Sequence, residues 1–233
     1  MRLILFDIDG TILLTDGAGR RAIERALIDV AGTAGPITDH RFDGKTDPQI
    51  VRELLSLAGH PSATSEERVR AVCEHYVSHL ADELAKPTQA TRIMVGVRPL
   101  LDALEPVETE GRAMVGLLTG NVERGAALKL QSGGIAPGRF RVGAYGSDAA
   151  HRPDLPAIAR RRAEERVGEP IAGPDVVIIG DTPDDVRCGR PIGARTVAVA
   201  TGGFDVAALT AAGATHVFAD LSDTARVLEA LLS

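Results

Sequence analysis

The sequence predicts an α/β protein: a doubly wound parallel sheet with helices on both faces, split after its first strand by an inserted block of helices. Three observations carry this expectation. Apolar runs of strand length at Arg2–Phe6, Ala113–Leu118 and Asp175–Ile179 each stop at a cluster of polar residues. From Val97 onward, strand-like runs alternate with stretches of helical period, the pattern of parallel strands joined by crossover helices. Residues from about 15 to about 90 read instead as helices with no strand among them.

Taken in order, Arg2-Leu3-Ile4-Leu5-Phe6 is long enough for one buried strand, and it ends at Asp7-Ile8-Asp9-Gly10-Thr11. Ile12 to Gly19, with two glycines, reads as a mobile excursion. Apolar residues at Ala22, Ile23, Ala26, Leu27 and Val30 mark a first helix. Asp47-Pro48 reads as the N-cap and first residue of a second, and Ser65 opens a third that runs to about Ala85. Val97 to Leu104 forms a helix with Pro99 in its first turn, where proline is tolerated. A strand then ends at Thr119-Gly120-Asn121, followed by a helix over 122–131, a strand over 141–145 and a basic helix over 154–167. The run Asp175–Ile179 is apolar after its first residue, as a central parallel strand should be, and ends at Gly180-Asp181-Thr182-Pro183-Asp184-Asp185. A strand at 196–200, a helix at 204–212, a short strand at 215–218 and a last helix from Ser222 follow. The domain expectation is a Rossmann-like core of 1–14 and 91–233, with an inserted helical cap of 15–90.

Composition narrows the function classes. With 233 residues, 44% hydrophobic and 25% charged, the chain is long enough for one large domain or a core with a modest second module. A net charge of −6 argues against a nucleic-acid binder driven by phosphate contacts, yet leaves room for a small phosphorylated ligand at a local positive site. Two cysteines, Cys73 and Cys188, without a CxxC pattern suit a reducing compartment. No apolar run approaches the roughly 20 residues that span a bilayer, and the apolar start is too short for a signal peptide. The expectation is a cytoplasmic protein with no membrane contact.

The polar clusters at the strand ends carry the chemistry. In open parallel sheets ligands bind at the carboxyl ends of the strands. Asp7 and Asp9 would share one side of the chain there, and two adjacent carboxylates are costly to keep ionised unless a cation lies between them. Mg²⁺, hard and oxygen-seeking, fits. A bare strand-end turn is the plainer alternative, since Asp and Gly are common turn formers. Asp181 and Asp185 lie one turn apart at a helix start and could share the metal.

Asp7-Ile-Asp9-Gly-Thr11, Leu118-Thr119-Gly120-Asn121 and Gly180-Asp181-Thr-Pro-Asp-Asp185 together resemble, in order and spacing, the successive signatures of the haloacid dehalogenase-like (HAD) hydrolases. The phosphoglycolate phosphatase-like subgroup, with its small α-helical cap, is the most similar. The resemblance implies Asp7 as the nucleophile that forms an aspartyl-phosphate, and Asp9 as the acid and base that serves the leaving alcohol and the attacking water. It implies Mg²⁺ held by Asp7, the carbonyl of Asp9, Asp181 and Asp185, with Thr119, Gly120 and Asn121 around the phosphate. The family's usual lysine before the fourth strand is missing, and Arg152 is assigned its role. Lys45, in the Gly44-Lys45-Thr46-Asp47 turn of the insertion, is the candidate for contact with substrate; a solvated turn is the alternative. An acid two residues after the nucleophile is needed to expel an alcohol but not a halide, which favours phosphoryl transfer over dehalogenation.

The expectation is therefore a Mg²⁺-dependent phosphatase of a small phosphorylated metabolite, either monomer or dimer. A phosphomutase of the same family, a phosphonate-cleaving enzyme using Lys45 as an imine-forming amine, and a non-catalytic binding module are the alternatives. Other residues read as structural. Arg160 to Arg166 form a solvated face balanced by Glu164 and Glu165, and Arg20 and Arg21 another. His151 is a loop residue, Cys188 is packing, and Gly202-Gly203 serves a turn. His75 and His79 have metal-binding spacing, but the sequence offers no third ligand near them.

Overall fold

Side chains on a strand alternate between faces, and the first strand shows what that does when both faces are covered. The computed structural model describes residues 1–233. In β1 (Arg2–Phe6), Leu3 and Leu5 enter one apolar cluster, while Ile4 and Phe6 enter another on the opposite face. All four are fully buried, a contribution of about 1.5–3 kcal/mol each as an upper estimate.

β1 is central. It pairs in parallel with β4 (Ala113–Thr119) on one side and β6 (Val176–Gly180) on the other. The sheet is completed by β5 (Val142–Tyr145), β7 (Arg195–Val199) and β8 (His216–Phe218), in the order β5-β4-β1-β6-β7-β8, all parallel. Against the Ile4 face lie α4 (Val97–Thr109), α5 (Glu123–Ser132) and α9 (Thr224–Leu232). Against the Leu3 face lie α6 (Leu155–Val167) and Cys188 at the end of α7 (Pro183–Cys188). A small cluster under α8 (Val206–Ala211) completes the core. The sheet is doubly wound, as the alternating pattern predicts.

α4 runs past the expected end at Leu104 to Thr109, with Pro106 inside it, because the apolar stripe continues to the buried Val107. Residues 12–19 are not the mobile excursion expected. Leu13–Leu14 forms β2, antiparallel to Arg92–Ile93 as β3. A two-residue strand whose partner lies at the far end of the insertion leaves no periodic signal in the sequence.

Between β2 and β3 lie α1 (Ala18–Ala31), α2 (Asp47–Leu57) and α3 (Glu66–Leu84). They share an apolar cluster that includes Ile23, Leu27, Leu54 and Leu80, to which the core contributes Val122. Ser65 caps α3 by accepting from the Arg68 N–H at 3.3 Å. At α2 the expected cap moves by one residue. Thr46 is the N-cap, accepting from the Gln49 N–H at 3.2 Å, and Asp47 is the first helical residue. Asp47 is thereby turned into the core. Its carboxylate accepts from the Val122 N–H at 2.8 Å, and its own N–H donates to the Gly120 carbonyl at 2.8 Å.

Burial pushes the Asp47 carboxyl up to about 6, with the Lys129 charge and the Val122 N–H opposing it. An acid whose folded value lies above its unfolded value weakens the fold as pH rises between the two values, and the loss is then constant. For Asp47 that window is about pH 4 to 6, and the loss is of order 3 kcal/mol. Asp47→Asn keeps the acceptor for Val122 and removes the buried charge. Thermal unfolding is expected to show the variant more stable than wild type at pH 7, with the advantage shrinking toward pH 4; a constant difference across that range would refute this account.

Candidate active site

The site is built where β1, β4 and β6 end. Asp7 follows β1, held by its N–H on the Ile179 carbonyl at 2.9 Å. Gly10 then turns the chain at φ 81°. A side chain at Gly10 would also run into the Asp181 carboxylate, so only glycine lets the two strand ends close on each other.

Asp7, Asp181 and Asp185 are all buried, and their carboxylate oxygens lie within 4.8 Å of one another. Asp181 accepts from the Thr11 hydroxyl at 3.0 Å. Asp185 does more than face the site one turn on from Asp181. It closes a capping box with Thr182, taking the Thr182 N–H at 3.0 Å and its hydroxyl at 2.7 Å, which fixes one oxygen and leaves the other for the cluster. Gly202 also has a role beyond a turn, because a Cβ there would overlap Asp181 Oδ2.

Arg152 stands among these carboxylates, buried in the turn before α6. One terminal nitrogen lies 3.1 Å from Asp7 Oδ2 and also donates to Asp185 Oδ1. The guanidinium is fixed and always charged. It does not balance three carboxylates. Burial, reinforced by the neighbouring carboxylates, pushes both Asp7 and Asp181 well above the usual carboxylate range despite Arg152. A buried group of hard oxygen donors with excess negative charge fits Mg²⁺ in donor type and in charge.

Asp9 is placed differently from the sequence expectation. The buried carboxylate cluster is formed by Asp7, Asp181 and Asp185, and the Asp9 carboxylate is not part of it. Asp9 turns its carboxylate to Lys129 on α5, whose Nζ lies 2.8 and 2.7 Å from the two oxygens, and accepts from Asn121 Nδ2 at 2.7 Å. Lys129 is buried, although the sequence shows it only as one residue of an ordinary helix. A lysine among Ala126, Leu128 and Leu130 was the one available signal, since a buried ammonium needs an anion.

Thr119 ends β4 fully buried. Its Oγ1 accepts from both the N–H and the side-chain amide of Asn121, at 3.3 and 2.8 Å, which leaves its proton for a ligand. Asn121 itself faces Asp9 and Thr119. Gly120 lies against the insertion, where a Cβ would collide with the Lys45 carbonyl. Asp7, Asp9, Thr119, Asn121, Lys129, Arg152 and Asp181 line a cavity of about 550 Å³ between the sheet edge and the insertion, together with Arg20, Phe42, Lys45 and Tyr76. Lys45 lines it with its Nζ between Glu53 and His40. Arg20 is not the solvated residue expected: it donates to the Ile37 and His40 carbonyls and stacks over the Phe42 ring at 4.1 Å. Arg160 and Arg161 do pair with Glu164 and Glu165 along α6, and Cys188 is packed under α7.

Residues 152–224 match a protein-family model described as HAD-hydrolase-like. Solved structures resemble the chain over nearly its whole length. A hydrolase from Pseudomonas syringae has 21% identity and a TM-score of 0.73, with both chains fully covered. CbbY from Rhodobacter sphaeroides, in complex with xylulose-1,5-bisphosphate, has 16% identity over 96% of both chains and a TM-score of 0.71. A predicted phosphoglycolate phosphatase from Haemophilus somnus has 17% identity over 98% of both chains and a TM-score of 0.68. Among curated protein sequences there is no match. Residues 152–224 are thus similar in sequence to haloacid dehalogenase-like hydrolases, and the whole chain shares the fold of the solved hydrolases and phosphatases it resembles.

Proposed function

We propose that the protein is a Mg²⁺-dependent phosphatase that hydrolyses a small phosphate monoester through an aspartyl-phosphate on Asp7. The observation that carries this reading is the division between two carboxylates two residues apart: Asp7 sits buried among Asp181, Asp185 and Arg152, while Asp9 faces the cavity on Lys129 and Asn121. Such a pair, kept in unlike environments, suits one group for attack and the other for proton transfer.

The roles follow from position. Asp7 attacks phosphorus, and the ester oxygen leaves as Asp9 protonates it. Asp9, then anionic, takes a proton from the water that hydrolyses the aspartyl-phosphate. The Thr119 hydroxyl and the Gly120 N–H donate to phosphoryl oxygens, and Arg152 holds the Asp7 carboxylate in place. Asp7, Asp181, Asp185 and the Asp9 carbonyl would hold Mg²⁺, which, when bound, would neutralise charge between phosphate and Asp7. Residues 15–90 act as the cap over a core of 1–14 and 91–233, closing to exclude bulk water.

The cavity size suits a small metabolite. CbbY was solved with a sugar bisphosphate and another neighbour is a predicted phosphoglycolate phosphatase, which supports a phosphorylated small molecule as substrate. A putative β-phosphoglucomutase from Thermotoga maritima shares the fold at 20% identity, so a mutase is the second reading. The imine reading of Lys45 loses ground, because its Nζ is engaged by Glu53 and His40.

A panel of phosphorylated metabolites, assayed for phosphate release with Mg²⁺ and with chelator, tests the proposal. Release is expected to require Mg²⁺, and Asp7→Asn is expected to lower kcat by at least about a thousand-fold with the circular dichroism unchanged. Near-wild-type turnover by Asp7→Asn would remove the nucleophile. Return of the phosphate to a sugar monophosphate would make the protein a mutase. Tight ligand binding without phosphate release would make it a binding module.

Lys129 gives an independent check. Lys129→Met preserves length and apolar packing but leaves Asp9 with Asn121 alone. It is expected to lower kcat by about 10–100-fold with a smaller change in KM, and Lys129→Arg to recover part of the loss. Equal loss in both variants, confined to KM, would mean that Lys129 binds substrate and does not position Asp9.

A further inference from the structure

His75 and His79 stand one turn apart on α3, and the fold supplies the third group that the sequence lacks. α1 and α3 pack antiparallel: Arg68 near the start of α3 donates to the Val30 carbonyl near the end of α1, and Glu83 near the end of α3 pairs with Arg21 near the start of α1. This brings Asp29 to His79, with Oδ2 and Nε2 2.7 Å apart. One ligand atom from each of Asp29, His75 and His79 lies within 4.8 Å of the other two. None of the three lines the active-site cavity, and no catalytic step above uses them.

We propose that Asp29, His75 and His79 form a second metal site, for a divalent transition ion of the zinc type, that clips α1 to α3 on the insertion. The donor set decides the class of ion. Two imidazole nitrogens and one carboxylate oxygen suit zinc, nickel or copper, whereas Mg²⁺ prefers an all-oxygen shell such as the Asp7 cluster. Histidines at i and i+4 on a helix present their rings on one face, a spacing that lets both reach one ion. Zinc needs its ligands at about 2.0–2.2 Å. His75 is exposed and no protein partner holds its ring, so it is free to turn toward an ion beside Asp29 and His79. Three protein ligands leave the remaining positions to water, as in open zinc sites.

Besides its open positions, the site differs from a structural zinc centre in the support behind one ligand. Nδ1 of His79 is buried without a hydrogen-bond partner. When Nε2 binds metal, the ring proton moves to Nδ1 and finds no acceptor there, so the usual support behind a metal-bound imidazole is missing. The affinity is expected to lie about 10–100-fold below that of a fully supported site. Binding joins the two helices of the insertion that pack most extensively on each other, so it stabilises the insertion in proportion to occupancy.

The test is calorimetric titration of the full chain with ZnCl₂ in millimolar Mg²⁺, which competes for the carboxylate cluster. One site of about 1–100 µM is expected. His75→Ala removes an exposed side chain, and is expected to weaken binding at least about 10-fold and to reduce the zinc-induced rise in unfolding temperature accordingly. His79→Ala should act the same way, and Asp29→Asn more mildly. Activity with Mg²⁺ should be unchanged in His75→Ala, so this outcome is separate from the phosphatase reading. Wild-type zinc binding by His75→Ala, or no binding up to about 1 mM zinc, would overturn the proposal.

Discussion

Three buried carboxylates facing one guanidinium are the constraint on which the rest of the site depends. Ionised carboxylates out of water are costly unless paired, and Arg152 can answer only part of the charge of Asp7, Asp181 and Asp185. The fold nevertheless brings all three together. Parallel pairing puts the ends of β1 and β6 side by side, glycines at 10 and 202 clear the space that Asp181 occupies, and a capping box commits one face of Asp185 to the helix start. A cluster assembled by this many independent features, and left short of positive charge, has a physical reason only if something else completes it. A divalent ion would do so.

The separation of Asp7 from Asp9 follows from local backbone geometry. Past Phe6 the chain leaves the sheet, and the Gly10 to Leu13 turn carries Asp9 out of the cluster toward α5. There it meets the Lys129 ammonium and the Asn121 amide in a place open to the cavity. Two carboxylates close in sequence thus have unlike neighbours: one is crowded by other acids and a fixed cation, the other is held by a lysine and an amide. The difference lies in environment and not in residue type.

Much of this was legible in the sequence, and the failures have physical reasons. The strand ends could be found because apolar runs that stop at acids and glycine are both a packing signal and a chemical one, as at Asp7 and Asp181. The sheet's alternation was equally plain from Val97 onward. What the sequence hid were partners created by long-range packing. Lys129 gains its meaning only when α5 lies beside the β1 end, and Asp29 joins His75 and His79 only when α1 packs on α3. The β2–β3 ribbon depends on two residues meeting two others across the whole insertion. The Asp47-Pro48 pair is the more familiar cap signal, yet the Thr46 hydroxyl one residue earlier caps the helix by accepting from the Gln49 N–H.

The same small segment connects recognition with chemistry. Residues 44–47 touch the core at several loops: Gly44 packs on Asp184, the Lys45 carbonyl lies over Gly120, the Thr46 hydroxyl donates to the Ala150 carbonyl at 2.6 Å, and Asp47 grips Gly120 and Val122. Gly120 is therefore both a contact of the insertion and the residue whose N–H would face phosphate. Ala150 lies just before Arg152, and Asp184 just before Asp185. Movement of the insertion cannot leave these contacts unchanged, because the backbone that the insertion leans on also carries the groups around Asp7. The bound and unbound positions of the helices would then differ in how well the phosphate site is formed, so a ligand that fits the cavity beneath the insertion would also complete the site at the sheet edge.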